Sequence, residues 1–336
     1  MRNVRFLILV LSLVVCASVA VAQKGSFGEL KQLQSPQDPA IGFIIQGGTL
    51  AGAKGSLTPE KEKEYRAKLQ EVVLAGYKAL KDGKSSIDAV ELAIRMMEDS
   101  PLFDPGSKNE RDASVMDGKT LNAGAVASIH RVKNPITLAR RVMEKSDNVM
   151  LTGDGAAKFA REQKIDVIDE AAKDEKGNDE KGKGEKEKLI IETAVSSTSV
   201  RKGGVGAVAL DRNGNIAAGS SSGGIANGKA GRVGEAAIIG AGTFANNNTC
   251  GVSGTGSGEF FIRLGIARDI SALMEYQAQP IQAAADRVIK QKLQKLGGNG
   301  AVIAIDKFGN MAVSFNTEGM YRAYINADGK PVVEIY

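Results

Sequence analysis

The sequence predicts an α/β (α+β) fold in which antiparallel sheets are sandwiched between helical layers. Two strand–turn–strand units support this prediction: residues 206–219, with a turn at residues 211–215, and residues 300–315, with a similar turn. Apolar residues at helical spacing over residues 259–274 and 280–296 lie between these units. The alternation of hairpins and helices indicates sheets that helices cover on their outer faces.

The first half of the chain predicts one strand followed by helices. A short apolar run at residues 41–45 is typical of a strand, which should end at a glycine pair. Thr58 can cap a helix whose first turn holds Pro59, and Gly83 should end that helix. Further helices are predicted to start near residue 86 and to run over residues 135–145.

The first 22 residues are typical of an export signal. Arg2 and Arg5 precede an almost unbroken apolar run over residues 6–15, and the small residues 20–22 form a cleavage site. The alternative is a membrane anchor, but the run is shorter than the ~20 apolar residues that span a bilayer. We therefore expect a secreted or periplasmic protein that has no membrane association once the signal is removed.

The composition of the mature chain, about 310 residues, excludes several classes of function. Loss of Arg2 and Arg5 lowers the net charge from +5 to +3, which does not favour a nucleic-acid partner. Cys250 is the single cysteine left, so no intrachain disulfide forms. With His130 as the single histidine, neither a serine-hydrolase triad nor a multi-histidine metal site is expected. We expect no cofactor and no metal.

A charged linker divides the mature chain into two parts. Residues 174–188 consist of Asp, Glu, Lys, Gly and Asn, which bury no apolar area and predict a flexible tether. We place the linker at residues 166–203, between an N-terminal part (23–165) and a C-terminal part (204–336). The two parts are expected to form one combined domain.

Three clusters of small residues are candidates for a binding site. They are residues 220–224, which follow a strand, residues 231–235, and residues 254–259, which open a helix. Glycine lets backbone N–H groups approach a ligand closely, and such groups at a helix start suit an anion or a developing oxyanion. The alternative for the last cluster is a tight turn without a ligand.

Arg232 and Glu235 could together bind a zwitterion. The guanidinium suits an α-carboxylate, and the carboxylate suits an α-ammonium. The alternative is a surface ion pair. His130 lies beside Arg131 and is expected to be an exposed polar residue.

In this order, the clusters resemble those of the isoaspartyl peptidase/L-asparaginase (plant-type asparaginase) family. The resemblance covers nearly all of residues 42–336, and its most specific segments are Leu102-Phe103 and residues 112–118, 123–127, 205–211, 231–234 and 315–323.

The resemblance implies a four-layer αββα sandwich of the N-terminal-nucleophile (Ntn) hydrolase type. Members of this family cut themselves at a Gly-Thr bond after a flexible linker, and the freed threonine attacks the amide carbonyl with its own α-amine as base. They release aspartate from asparagine or β-aspartyl peptides, and their processed chains pair as homodimers. The resemblance therefore implies an aspartyl small molecule or β-aspartyl peptide as ligand, and a homodimer.

The nucleophile is the main departure from the family pattern. Where the family has Gly-Thr-Val-Gly, this chain has Gly203-Gly204-Val205-Gly206, so Gly204 occupies the position of the catalytic threonine. Glycine has no hydroxyl group with which to cleave the chain or to attack a substrate.

Other site positions match or nearly match the family. Thr255 and Gly256 match the oxyanion-hole residues, and Ser222 matches a threonine that hydrogen-bonds the nucleophile. Arg232 matches the arginine that binds the substrate carboxylate, while Glu235 replaces an aspartate that holds the substrate ammonium.

Two further departures lie near the expected site. Gln46-Gly47-Gly48 replaces a His-Gly-Gly start, and residues 104–111 replace a longer glycine-rich loop that holds a structural sodium ion in the family. The resemblance thus implies that the sodium site is lost. Three hypotheses follow: an unprocessed pseudoenzyme, an active amidohydrolase with an unrecognised nucleophile or a water molecule, and a non-enzymatic binding protein.

Overall fold

The computed structural model describes residues 33–34, 41–50, 52, 54–103, 110–166, 201–223 and 231–336. The predicted export signal (1–22), the shortened loop at 104–109 and the tether at 174–188 lie outside the described residues. The described residues between 33 and 336 belong to one compact unit.

A large sheet holds strands from both sides of the linker. Its strands are β2 (Gly42–Leu50), β3 (Arg111–Asp117), β4 (Ala123–Ile129), β5 (Met150–Thr152), β6 (Arg201–Lys202), β7 (Val205–Leu210), β8 (Ile216–Ser222), β13 (Met320–Ile325) and β14 (Pro331–Glu334). Their order is β14-β13-β2-β7-β8-β3-β4-β5, and β6 also pairs with β2. The pairs are antiparallel except β4 with β5.

A smaller antiparallel sheet lies against the large one. Its strands are β1 (Leu33–Gln34), β9 (Thr243–Ala245), β10 (Cys250–Gly256), β11 (Gly300–Asp306) and β12 (Asn310–Phe315), in the order β1-β12-β11-β10-β9. Apolar residues of the two sheets, among them Ile44, Val208 and Ile303, form a buried cluster. This cluster holds the sheets face to face.

Helices cover the outer faces of both sheets. The large sheet is covered by α1 (Pro59–Lys81), α2 (Ser86–Glu98), α3 (Pro135–Lys145) and α4 (Gly153–Glu162). The small sheet is covered by α5 (Gly258–Leu264), α6 (Ile266–Gln277) and α7 (Ile281–Asp286), which continues as a π-helix over Arg287–Leu293. Three apolar cores between four layers confirm the predicted αββα sandwich.

The start of the first helix follows the predicted local chemistry. The Thr58 side chain accepts a hydrogen bond from the Lys61 N–H, and Pro59 is the first helical residue. At the start of α2, Ser85 and Asp88 form a reciprocal capping box. The predicted helix at residues 135–145 is confirmed with the same bounds.

Two predicted elements differ in extent. The strand at residues 41–45 continues to Leu50, because Thr49 and Leu50 pair with β6 and Gly48 adopts a positive φ of 95° within the strand. The single helix predicted over residues 259–274 is two helices, because Gly265, with φ 58°, ends α5 in the left-handed conformation.

The two predicted hairpins share one turn chemistry. Asp211 Oδ1 accepts hydrogen bonds from the N–H groups of Asn213 and Asn215. Asp306 Oδ1 accepts in the same way two and four residues further on. These bonds close the β7–β8 turn in the large sheet and the β11–β12 turn in the small one.

The central strands bring the two parts of the chain together. Residues 42–46 of β2, which precedes the linker, pair with residues 206–210 of β7, which follows it. The described part of the chain contains no helix that is long and apolar enough to cross a membrane.

Candidate active site

The candidate site forms where the start of β7, the end of β8 and the end of β10 meet. Gly204, immediately before β7, donates its backbone N–H to Thr255 Oγ1 at 3.0 Å. Thr255 is fully buried in β10. The bond therefore joins the large sheet to the small one at the position where the resemblance expects a nucleophile.

The backbone around Gly204 has no room for a side chain. A Cβ atom on Gly204 would overlap the carbonyl oxygen of Ser221 and lie 3.2 Å from Ser222 Cβ. At Gly203, whose φ is 92°, a Cβ atom would overlap Thr255 Oγ1. Glycine at both positions is what lets the chain approach β8 and β10 this closely.

Glu235 reaches the end of β10. Its Oε1 accepts the backbone N–H of Gly256 at 3.1 Å, and the residue is 6% exposed. Burial raises the pKa of its carboxyl to about 7. The N–H group that the resemblance assigns to an oxyanion hole is thus bonded to a side chain of the same chain.

Arg232 lies beside Glu235 but is bonded elsewhere. Its Nε donates to Glu259 Oε1 at 2.8 Å, and this bond raises the pKa of the guanidinium. A Cβ atom on Gly258 would lie 2.5 Å from Glu235 Oε2 and 3.0 Å from Arg232 Nη2. Arg232 and Glu235 therefore both lie against Gly258, the first residue of α5.

Asp112 supports the loop that carries Arg232, a role that the sequence analysis does not predict. Its two carboxylate oxygens accept the N–H groups of Ser128 at 2.9 Å and Gly234 at 2.7 Å. Burial raises its pKa. Glu110 accepts the Gly231 N–H at 2.9 Å, which fixes the start of the same loop.

Glu98 is a second residue near the site that sequence reasoning missed. Its Oε1 accepts the Ile136 N–H at 3.1 Å. Its side chain lines a small cavity of about 10 Å³ that also touches Gly204, Ser221 and Ser222, with space for about one water molecule. Burial raises the pKa of Glu98 to about 8.

The structure brings all six predicted site residues into one neighbourhood. Gly204, Ser222, Thr255, Gly256, Arg232 and Glu235 are linked by the contacts above. His130 is not one of the six: its Nε2 lies 3.5 Å from Glu110 Oε1, and 57% of its side chain is exposed. The prediction of an exposed polar histidine is confirmed.

The fold and the position of this site define the class of protein. Four αββα layers are the architecture of Ntn hydrolases, and the candidate site lies at the start of a central strand, against Thr255 of the opposite sheet.

The sequence comparisons identify the family. The family described as "Asparaginase" matches residues 39–335. The chain is 43% identical over 307 residues to an isoaspartyl peptidase of Salmonella typhimurium, covering 88% of this chain and 98% of the relative. It is 42% identical over 306 residues to the isoaspartyl peptidase of Escherichia coli, with 88% and 95% covered. It is 40% identical over 305 residues to a plant-type L-asparaginase of Pyrococcus horikoshii, with 85% and 96% covered. The chain belongs to the asparaginase family of Ntn hydrolases.

The buried Glu98 carboxyl predicts a pH-dependent stability. Its pKa is about 8 in the folded protein, against an ordinary value of 4.5, so the folded state binds more protons between these pH values. The free energy of unfolding should therefore fall as pH rises through this window, by up to ~1.4 kcal/mol per pH unit.

Glu98→Gln should remove this contribution. The variant should match wild type near pH 4 and exceed its stability at pH 8, as measured by urea denaturation across the range. The comparison at pH 4 is the internal control, because protonated Glu and Gln are both neutral there. If the free energy of unfolding changes with pH by the same amount in both proteins, the raised pKa of Glu98 is contradicted.

Proposed function

We propose that the protein is a catalytically impaired, unprocessed member of the asparaginase family that retains a site for aspartyl compounds. The observation that carries the proposal is the close packing of Gly204 against the Ser221 carbonyl, which leaves no room for a nucleophilic side chain. Loss of a catalytic nucleophile commonly removes several orders of magnitude in rate.

The hydrogen bonds of the site also support the proposal. An active site of this kind keeps donors available for the charge that develops on the substrate carbonyl. Here the Gly256 N–H donates to Glu235, while Thr255 Oγ1 already accepts the Gly204 N–H. Groups that would act on a substrate are engaged with one another.

The ligand class follows from what is retained. Arg232 keeps a guanidinium suited to a carboxylate, and its partner Glu259 has a side chain that is 64% exposed. Exposed ion pairs are worth only ~0–1 kcal/mol, so a ligand carboxylate can replace Glu259. The relatives named isoaspartyl peptidase and L-asparaginase make an aspartyl small molecule or β-aspartyl peptide the expected ligand.

A second candidate is an amidohydrolase that uses water in place of threonine. The observation that favours it is the small cavity between Glu98, Gly204 and Ser222, because Glu98, once deprotonated above its pKa of about 8, can act as a general base on a water molecule there. Turnover that is present in wild type and lost in Glu98→Gln would establish this alternative.

We propose that the chain acts outside the cytoplasm, as a secreted or periplasmic protein. The proposal is supported by the signal-like segment at residues 1–22, with its basic start, apolar run and small-residue end.

Purified mature protein should give one intact mass and no turnover. Mass spectrometry should find a single uncut chain, because residue 204 has no hydroxyl to attack the preceding bond. Release of aspartate from L-asparagine or a β-aspartyl dipeptide should stay at the level without enzyme, with the E. coli isoaspartyl peptidase as positive control. Two fragments that meet at Gly203/Gly204, or aspartate release above that level, would contradict the proposal.

Gly204→Ala should destabilise the protein by ~1–3 kcal/mol, because its methyl group overlaps the Ser221 carbonyl and forces the backbone apart. Gly155→Ala is the matched control: a Cβ atom meets nothing within 4 Å there, so its stability should be unchanged or up to ~1 kcal/mol higher. Urea denaturation measures both.

The same crowding applies to Gly204→Thr, which should not restore chain cleavage. An alanine variant as stable as wild type, or a threonine variant that cuts itself, would show that the site readily accommodates a side chain.

A further inference from the structure

The position of the Gly256 N–H is fixed by its surroundings. A Cβ atom on Gly256 would overlap the Asn299 carbonyl oxygen and lie 2.5 Å from Gly300 Cα. The residue ends β10, which pairs with β11 along its whole length. The strand therefore cannot move away from Glu235 without breaking the small sheet.

The backbone of Glu235 is held as firmly. Its carbonyl oxygen accepts the N–H groups of Ile238 and Gly242, each at 3.1 Å, and the residue starts a 3₁₀ turn over Glu235–Ala237. A Cβ atom on Gly242 would overlap this carbonyl. With both backbones fixed, the length of the residue 235 side chain decides whether its carboxylate reaches Gly256.

The observed contact requires the full length of glutamate. Glu235 Oε1 lies 3.1 Å from Gly256 N. An aspartate is shorter by one C–C bond, about 1.5 Å, which would place its oxygens beyond the ~3.2 Å limit of an ordinary N–H···O bond. The shorter side chain would leave the Gly256 N–H available to a ligand.

We propose that Glu235 is the specificity-determining residue of this site: its carboxylate occupies the Gly256 N–H that the side-chain carbonyl of an asparagine or β-aspartyl ligand would otherwise use. This inference rests on the proposed aspartyl-binding function. In wild type, recognition is left to Arg232, which any small amino acid can satisfy with its α-carboxylate. The protein should therefore prefer L-asparagine over L-alanine, which lacks the side-chain carbonyl, less strongly than a variant whose Gly256 N–H is available to the ligand.

The experiment is a calorimetric titration of wild type, Glu235→Asp and Glu235→Gln with L-asparagine and with L-alanine. Glu235→Asp keeps the charge and shortens the side chain, so the ratio of affinities for asparagine over alanine should rise about fivefold, the net worth of one ordinary hydrogen bond. Glu235→Gln removes the charge but keeps an oxygen at the same reach. Its ratio should rise less than about threefold, because the amide oxygen still accepts the Gly256 N–H.

The inference is overturned if Glu235→Asp leaves the ratio where it is in wild type. It is also overturned if Glu235→Gln raises the ratio as much as Glu235→Asp does, because charge rather than length would then govern the site.

Arg232→Ala, made in wild type and in Glu235→Asp, separates this failure from failure of the proposed function. If asparagine binding survives Arg232→Ala, the ligand does not use this site and the proposed function fails. If Arg232→Ala removes the binding but Glu235→Asp brings no gain, only the inference on Glu235 fails.

Discussion

The hydrogen bond from the Gly204 N–H to Thr255 Oγ1 is the contact on which the arrangement of the site depends. It joins the start of β7 in the large sheet to the end of β10 in the small sheet. Thr255 is fully buried, so its hydroxyl would be costly to leave without a partner. Gly203 and Gly204 permit the bond, because a Cβ atom at either residue would overlap a neighbour.

The same contact explains why the polar groups of the site hydrogen-bond to one another. With the chain drawn against β8 and β10, polar groups of the site bond to one another: Gly256 to Glu235, Arg232 to Glu259, and Gly234 to Asp112. The relatives of this chain are named for the hydrolysis of isoaspartyl peptides or asparagine. In our account this chain keeps the family scaffold and the carboxylate-binding arginine, while the groups that would act on an amide bond are lost or occupied.

Much of the fold could be predicted from the sequence, because it depends on local chemistry. The Asp211 and Asp306 turns, the Thr58 cap and the alternation of hairpins and helices act through residues close in the chain. The helix break at Gly265 was missed, because the apolar spacing continues across it and a single glycine does not reveal its φ of 58°.

The chemistry of the site was less predictable, since it depends on distances between elements. Family resemblance brought Gly204, Thr255 and Glu235 to one place, but the bond from Gly256 to Glu235 depends on how the 3₁₀ turn faces the end of β10. Glu98 was missed for a related reason. A glutamate at the end of an amphipathic helix is typical of a solvent-exposed position, and its burial follows from the packing of α2 beside Ile136.

Our central claim is that the polar groups of the site hydrogen-bond to one another. Its most direct test is hydrogen exchange at the backbone amides of Gly204 and Gly256 in the native protein, followed by NMR. Our account predicts that both exchange at least ~100-fold more slowly than in an unstructured chain, because each N–H donates to an acceptor on a buried residue. Exchange at the unstructured-chain rate at either amide would mean that the site is open to water, as in an enzyme awaiting substrate, and would contradict the account.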